Sequence, residues 1–201
     1  MKLQLFDVVF LLGFVTYVVI RGVFIERGRN TEVVVRCFDW RERVAMSVVF
    51  VGSMLLPLLY LFTPVLSLAN YDMPTFVHVA GSVMMVAGLW LFWRSHADLG
   101  RNWSATLELK STHSLVTVGV YRLVRHPMYG AIGLVSTAQG MLLDNWLAGW
   151  AALLSTILLC AWRIPREEQM MQEHFGLDYE RYAGRTGRLF PKLPQIGIHR
   201  R

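Results

Sequence analysis

The chain has 201 residues, of which 54% are hydrophobic and 12% aromatic, and its formal net charge is +6. This composition is too apolar for an ordinary water-soluble domain of the same length, and it indicates an integral membrane protein. The basic residues flank apolar runs and form no nucleic-acid-binding motif, which argues against a nucleic-acid-binding protein. Cys37 and Cys160 have no C-x-x-C spacing, so they indicate neither a disulfide framework nor a zinc site.

Five apolar runs approach the ~20 residues that a helix needs to cross the hydrocarbon core of a bilayer. They are residues 3–20, 44–68, 75–93, 127–143 and 146–162. The first run resembles a signal peptide, but bulky and charged residues follow it where a cleavage site would stand, so we expect a retained anchor. The second run contains Pro57 and Pro64, so we expect that helix to bend or to end early.

The connections between these runs differ in their basic residues. The connections after the first and third runs and the C-terminal tail are rich in arginine, whereas residues 69–74 contain neither lysine nor arginine. By the positive-inside rule, the N-terminus then lies outside the cell, and the basic connections and the C-terminus lie in the cytosol. The fourth connection is only Asp144 and Asn145, which predicts a tight antiparallel hairpin of the last two spans.

The chain contains no internal repeat and no low-complexity stretch, so we expect a single membrane domain over residues 1–201. Residues 1–93 would supply the first three helices. Polar and special residues concentrate after this point, so we expect the reaction site in residues 94–201.

The start of the fourth predicted helix reads Arg125-His126-Pro127-Met128-Tyr129. Proline is well tolerated in the first turn, where its nitrogen has no intrahelical partner, and a helix N-terminus presents unpaired N–H groups that can bind a carboxylate. His126 and Tyr129 could add hydrogen bonds there. The alternative is that Arg125 and His126 are interfacial anchors without a ligand.

Charged residues directly follow the last span, among them Arg163, Glu167 and Glu168. They could form the solvated start of a helix. Alternatively, a carboxylate here pairs with a ligand ammonium or ribose hydroxyl, while Arg163 holds an anionic substrate group. Because the hairpin brings them towards His126 and Tyr129, the two sets together would complement a zwitterionic ligand.

Several short motifs occur in order along the second half of the chain. They are residues 113–116 (HSLV), 119–121 (GVY), 125–129 (RHPMY), 167–168 (EE), 175–176 (FG) and Tyr179. With these motifs the chain resembles the isoprenylcysteine carboxyl methyltransferase family, which is itself similar to phospholipid N-methyltransferases. The similarity runs from about residue 99 to residue 191 and is greatest to short prokaryotic members with five spans.

The resemblance implies an all-α integral membrane protein of five transmembrane helices in the inner membrane of a prokaryote. Its C-terminal segment would cap a cytosolic pocket for S-adenosylmethionine, with a lateral opening for a lipid tail. The cofactor contacts carried over by motif position are His113, Ser114, Leu115, Val116, Tyr121, His126, Pro127, Met128, Tyr129 and Glu167. Arg163 would bind the substrate carboxylate, and Glu168 is a weaker candidate for a catalytic role.

The expected reaction is carboxyl O-methylation of an isoprenylcysteine-type lipid substrate, since a carboxylate ionised near neutrality needs no general base. The rival reaction is N-methylation of a phospholipid amine, which requires a proton acceptor such as Glu168. A third possibility is a lipid-binding scaffold without enzymatic activity. A metal site is disfavoured, because no two histidines stand four residues apart as metal ligands on one helix do.

Overall fold

The structure, a computed structural model, describes residues 3–28, 33–36, 40–100, 108–110 and 114–192. Within these ranges the chain is helical apart from one small antiparallel sheet. The α-helices are α1 (Leu5–Gly28), α2 (Trp40–Phe50), α3 (Leu56–Phe62), α4 (Thr75–Leu99), α5 (Pro127–Leu142), α6 (Trp146–Phe175) and α7 (Leu177–Arg185). The two strands are β1 (Val33–Arg36) and β2 (Glu108–Lys110), an addition that the all-α prediction did not contain.

Four helical segments of the described chain are long and apolar enough to cross a membrane. They are Leu5–Arg27, Trp40–Phe62, Thr75–Leu99 and Trp146–Phe175, and each contains or closely overlaps a predicted span. The remaining predicted span, residues 127–143, forms helix α5, which has 16 residues. At 1.5 Å per residue α5 is about 24 Å long, less than the ~30 Å hydrocarbon core, so a fifth crossing stays a prediction.

The two prolines of the second span shape its helix. A π-helical turn (Val51–Leu55) lies directly before Pro57 and joins α2 to α3. This wider turn accommodates a residue that cannot donate a backbone hydrogen bond. The helix then ends at Phe62, and the hydroxyl of Thr63 donates to the carbonyl of Leu59 at 2.6 Å. The prediction that the span ends early is therefore confirmed.

Helix α4 packs closely against α5 because glycines line its contact face. A Cβ atom at Gly81 would lie 2.8 Å from Cβ of Met141, and one at Gly88 would lie 2.9 Å from a methyl carbon of Val135. Small residues at such positions let membrane helices approach each other. The same interface buries a cluster that includes Phe10 of α1 and Met85 of α4, and it fixes α5 in the middle of the bundle.

The hairpin end of the bundle comprises residues 62–75 and 143–146. Asn145 caps α6, since its side-chain oxygen accepts hydrogen bonds from the N–H groups of Leu147 and Ala148 at 3.1 and 2.9 Å. Its amide nitrogen donates to the carbonyl of Leu66 and to the side-chain oxygen of Asn70, both at 2.7 Å. The predicted tight hairpin of α5 and α6 is confirmed.

The opposite end of the bundle, called the site end here, comprises the end of α1, the starts of α2 and α5, the end of α4 and the second half of α6 with α7. Strand β1, which follows α1, pairs with β2, which follows α4. The chain therefore reaches the site end with the last turns of α1, with the last turns of α4 and with the second half of α6. The described basic residues near the ends of these elements, such as Arg41, Arg125 and Arg188, lie at this end too.

Candidate active site

The C-terminal segment (residues 177–192) fixes the stretch that leads into α5. The backbone N–H of Arg125 donates to the carbonyl of Gly187 at 2.9 Å, and that of His126 donates to the carbonyl of Arg188 at 3.0 Å. Pro127 follows as a first-turn residue of α5. His126 and the first turn of α5 therefore have their positions set from two sides, by the helix and by the C-terminal segment.

Residues 114–117 have no regular secondary structure and lead into a 3₁₀ turn (Gly119–Arg122). Gly119 adopts φ +60°, and a Cβ there would overlap the carboxylate of Asp98. That carboxylate accepts a hydrogen bond from the N–H of Val120 at 2.9 Å. The turn contains Tyr121, whose carbonyl accepts a hydrogen bond from the hydroxyl of Tyr182 at 2.7 Å, so the turn is joined to α7.

Glu167 is the centre of the first charge cluster. Its Oε1 atom lies 3.1 Å from Nε of Arg163, one turn earlier on α6, and accepts a hydrogen bond from the hydroxyl of Tyr129. Its Oε2 atom lies 3.5 Å from Nδ1 of His126. Arg163 in turn contacts Glu42 of α2, with Nη1 3.4 Å from Oε1. Three helices thus meet around one guanidinium group.

Glu168 is the centre of a second cluster that points towards the C-terminal segment. Its Oε1 atom lies 2.8 Å from Nη2 of Arg125 and 3.4 Å from Nε2 of His126. Its Oε2 atom lies 2.7 Å from Nη2 of Arg188. Arg125 also donates to the carbonyls of Ala183 and Thr186. Glu168 therefore ties α6 to the start of α5 and to the C-terminal segment.

His126 stands between the two carboxylates. Burial alone would lower the pKa of its imidazole, but the hydrogen bonds and charges of Glu167 and Glu168 outweigh burial and raise that pKa above its ordinary value. In α7, burial raises the pKa of Tyr179 and of Tyr182 to about 12 in each case. Both phenols are therefore neutral hydrogen-bonding groups near neutral pH.

A cavity of ≈ 420 Å³ lies between these clusters and the first two long helices. Its polar end contains Arg163, Glu167 and Tyr129, and Tyr179 of α7 adds to that wall. The remaining wall is mostly apolar and belongs largely to α1, α2 and the π-turn. Its apolar members are Phe14, Val18, Met46, Val49, Phe50, Met54, Leu99, Ile132 and Leu159.

The structure brings most of the sequence-predicted site residues to this one cavity. Those that line it are Ser114, Leu115, Val116, Tyr121, His126, Met128, Tyr129, Arg163 and Glu167. Pro127 is buried behind the wall, and Glu168 belongs to the second cluster without lining the cavity. His113 lies outside the described residues.

The cavity also contains residues from before position 94, because α1 and α2 form much of its wall. Tyr17 and Arg21 of α1 line it as well, and Glu42 supports Arg163 from behind. The sequence carries little signal for these positions. Apolar residues of a span look alike whether they face lipid or a cavity, and charges beside a span are first interpreted as topology signals.

Comparisons with known proteins agree with the motif resemblance. A family described as "Isoprenylcysteine carboxyl methyltransferase (ICMT) family" matches residues 80–173. Protein-S-isoprenylcysteine O-methyltransferase A of Arabidopsis thaliana is 30% identical over 133 residues, which are 65% of this chain and 68% of the relative. The chain belongs to the isoprenylcysteine carboxyl methyltransferase family.

Other members of the ICMT family match a smaller share of their own length. A probable protein-S-isoprenylcysteine O-methyltransferase of Oryza sativa subsp. indica is 33% identical over 110 residues, 54% of this chain and 58% of the relative. The solved structure of the eukaryotic intramembrane Ras methyltransferase ICMT matches with a TM-score of 0.54 at 25% identity, over 80% of this chain and 55% of that chain. The chain thus spans a little over half the length of these two relatives.

The part of the chain that matches the ICMT family runs from α4 to α6. It contains the start of α5 and, on α6, Arg163, Glu167 and Glu168, whereas Tyr179 and Arg188 lie after it. Helix α1 and Glu42 lie before it. With its apolar helices and its family, the protein is an integral membrane protein.

Proposed function

We propose that this protein transfers a methyl group from S-adenosylmethionine to the carboxylate of an isoprenylcysteine-type lipidated substrate. One observation carries the proposal: the guanidinium of Arg163 lines a cavity that is otherwise mostly apolar on its α1 and α2 side. Such a cavity suits a lipid chain that ends in a carboxylate, since guanidinium groups bind carboxylates in a fixed geometry. The names of the relatives from rice and Arabidopsis support the same reaction.

The residues at the polar end of the cavity fit S-adenosylmethionine. The cavity volume falls within the roughly 300–1,000 Å³ typical of small-molecule sites. Glu167 suits the ammonium group or a ribose hydroxyl, and the first-turn N–H groups of α5 at Met128 and Tyr129 suit the carboxylate. When bound, S-adenosylmethionine supplies an electrophilic methyl group on a sulfonium. The proposed contacts remain His113, Ser114, Leu115, Val116, Tyr121, His126, Pro127, Met128, Tyr129 and Glu167.

Arg163 would act as the residue that orients the substrate. Its Nε and Nη1 atoms contact Glu167 and Glu42, so the plane of the guanidinium is restrained on two sides. A restrained donor holds a carboxylate in one direction, which favours the in-line approach that substitution at a methyl group requires. Tyr121, which lines the cavity, is joined to α7 because its carbonyl accepts a hydrogen bond from the hydroxyl of Tyr182.

The surroundings of Glu168 favour O-methylation over N-methylation. An amine acceptor must lose a proton, and Glu168 was the candidate to take it. The carboxylate of Glu168 is already bonded to Arg125 and Arg188, and two guanidinium groups favour its ionised form. We therefore assign Glu168 to the attachment of the C-terminal segment.

We also propose that the protein crosses the membrane five times, with its N-terminus outside and its site end in the cytosol of a prokaryotic cell. Two features support this topology. The described basic residues of the connections and of the C-terminal segment up to residue 192 share one end of the bundle, which agrees with the positive-inside rule. Helix α5 lies antiparallel to the membrane-length helix α6 across a turn of only three residues, 143–145.

A methyl-transfer assay tests the reaction directly. Purified protein in detergent receives S-adenosylmethionine with a labelled methyl group and one of three acceptors: N-acetyl-S-farnesylcysteine, its methyl ester, or phosphatidylethanolamine. We expect label only with the free acid, in a product that releases labelled methanol in base, as an ester does. Label in phosphatidylethanolamine would support the amine reaction, and no transfer from a folded protein would support the scaffold.

A further inference from the structure

Glu42 is a fully buried carboxylate beside the proposed site. The residue is 0% exposed, and its partner Arg163 is 6% exposed. Burying a charge is costly unless it is paired, and an ion pair at this depth is weak evidence for stability, because apolar replacements are often as stable. The Glu42–Arg163 contact of 3.4 Å therefore calls for an explanation beyond the fold.

The contact joins two helices that have different relations to the cavity. Arg163 lines the cavity, whereas Glu42 does not and approaches the guanidinium from behind, from the first turn of α2. Glu167 contacts the same guanidinium from within α6 at 3.1 Å. A planar guanidinium with carboxylates in contact on two sides is restricted in the directions in which it can present its N–H donors.

We propose that Glu42 is a positioning residue, which orients Arg163 so that a substrate carboxylate is held for methyl transfer. This inference rests on the proposed function. Glu42 acts through Arg163 and touches neither substrate nor cofactor. Residue 42 lies before the part of the chain that matches the family, residues 80–173, so the inference concerns how this chain builds its own α2 against the shared site.

Positioning affects turnover more than binding. Without the charge of Glu42, the guanidinium can still attract a carboxylate, and one repelling negative charge is lost at the same time. The direction of the Arg163 guanidinium is no longer fixed, however, and small misplacements of reacting groups lower the reaction rate strongly. The Glu42→Gln variant should therefore lose turnover while the dissociation constants of the acid and of S-adenosylmethionine change little.

A double-mutant cycle tests this inference. The variants are Glu42→Gln, Arg163→Lys and the double variant. The control is Glu173→Gln, because Glu173 is an exposed carboxylate of α6 that accepts a hydrogen bond from Gln169. Turnover on N-acetyl-S-farnesylcysteine is divided by the number of sites that bind S-adenosylmethionine in calorimetry, so that unfolded protein does not count. A lysine at 163 lacks the planar fork, so nothing remains for Glu42 to orient.

We expect Glu42→Gln to lower turnover per site about tenfold in the wild-type background and less than about twofold beside Arg163→Lys. An equal loss in both backgrounds, or turnover per site like that of the control, would overturn the inference while leaving the methyltransferase intact. If Glu42→Gln does not bind the cofactor, Glu42→Asp keeps the charge but shortens the reach and is expected to lower turnover too. If neither variant binds it, Glu42 serves the fold and the inference is wrong.

A failure of the proposed function would be observed in the wild type and not in the variants. It requires only that the wild type transfers no methyl group to the free acid, and no variant is needed to observe it. In that case the positioning role falls with the function. Where the wild type is active, only the comparison between the two backgrounds decides about Glu42.

Discussion

The hairpin end and the site end of the bundle are closed by different kinds of contact. At the hairpin end, Asn145 makes four hydrogen bonds with short, mostly backbone partners, and Gly140 lies against the ring of Trp150. At the site end, long charged side chains from α2, α5, α6 and the C-terminal segment meet around Glu167 and Glu168. Short side chains bring the helices together at one end, and long ones hold them apart at the other, where a cavity remains.

The comparison predicts that substitutions at the site end change chemistry and those at the hairpin end change stability. The largest effect is expected for Arg163→Ala, which removes the group that would hold the substrate carboxylate. Loss of a buried charged partner costs about 2–5 kcal/mol, so turnover should fall on the order of a hundredfold or more. The measurement is the turnover of each variant divided by its number of sites that bind S-adenosylmethionine.

Two further variants make the Arg163 result interpretable. Arg163→Lys keeps the positive charge between Glu42 and Glu167, so it should fold well and lose about tenfold in turnover. Arg166→Ala is the matched control, since Arg166 lies on the same helix over the ring of Trp162 and does not line the cavity. If Arg166→Ala were as damaging as Arg163→Ala, the special role of Arg163 would be refuted.

The second prediction concerns the hairpin end. Asn145→Ala removes the N-cap of α6 and the two bonds to Leu66 and Asn70. A lost cap costs about 1 kcal/mol and each lost hydrogen bond about 0.5–1.5 kcal/mol, so we expect a loss of stability of about 2 kcal/mol or more. Thermal unfolding in detergent measures it. Asn145→Asp, which keeps the capping oxygen, should lose less.

The Asn145 variants should bind S-adenosylmethionine with the wild-type affinity once the folded fraction is taken into account. A change in affinity comparable to that of a cavity variant would mean that the two ends of the bundle are coupled. The prediction that the site end determines chemistry and the hairpin end determines stability would then be wrong.

The third prediction concerns the attachment of the C-terminal segment. Glu168→Gln removes the charge that Arg125 and Arg188 share. Charged hydrogen bonds contribute about 1.5–3 kcal/mol, so the affinity for S-adenosylmethionine should fall about tenfold, with faster limited proteolysis after α7. Glu173→Gln, at an exposed position of the same helix, is the control. Unchanged affinity together with faster proteolysis would show that the segment does not close the cofactor site.

The smallest predicted effect is a pH dependence that originates at His126. Because the carboxylates raise its pKa in the folded protein, the protonated imidazole adds stability that is fully present below its ordinary pKa of about 6.5. That stability is lost as the pH rises through the higher folded pKa. The unfolding midpoint should therefore fall as the pH rises above about 6.5, and the fall should be smaller in His126→Gln. An identical slope in both proteins would contradict the assignment.

Much of the helical architecture follows from the sequence. Four of the five long apolar runs, the effect of Pro57 and Pro64 and the short connection at Asp144 have strong local causes, and the structure confirms them. The helix ends are less predictable: α1 continues to Gly28 and α6 to Phe175, past the apolar runs. Hydropathy indicates which residues lie in the bilayer, whereas a helix can continue beyond the bilayer as long as its backbone hydrogen bonds are made.

The candidate site was predictable where a local motif carries it. Residues 125–129 and 167–168 have recognisable order and spacing, and the predicted hairpin explains why they meet. Glu42 was not predictable, because its partner lies more than a hundred residues along the chain and its neighbours Arg41 and Arg43 mark topology first. The apolar cavity wall on α1 and α2 depends on which helix faces lie inward, and uniform apolar composition does not reveal that.

Calorimetric titration of detergent-purified protein with S-adenosylmethionine tests the central claim most directly. The wild type should bind one equivalent, and Glu167→Ala and His126→Ala should bind more weakly, because both side chains line the polar end of the cavity. Arg166→Ala should bind like the wild type. Absence of binding in a wild-type sample that shows cooperative unfolding would contradict the methyltransferase and favour a lipid-binding scaffold.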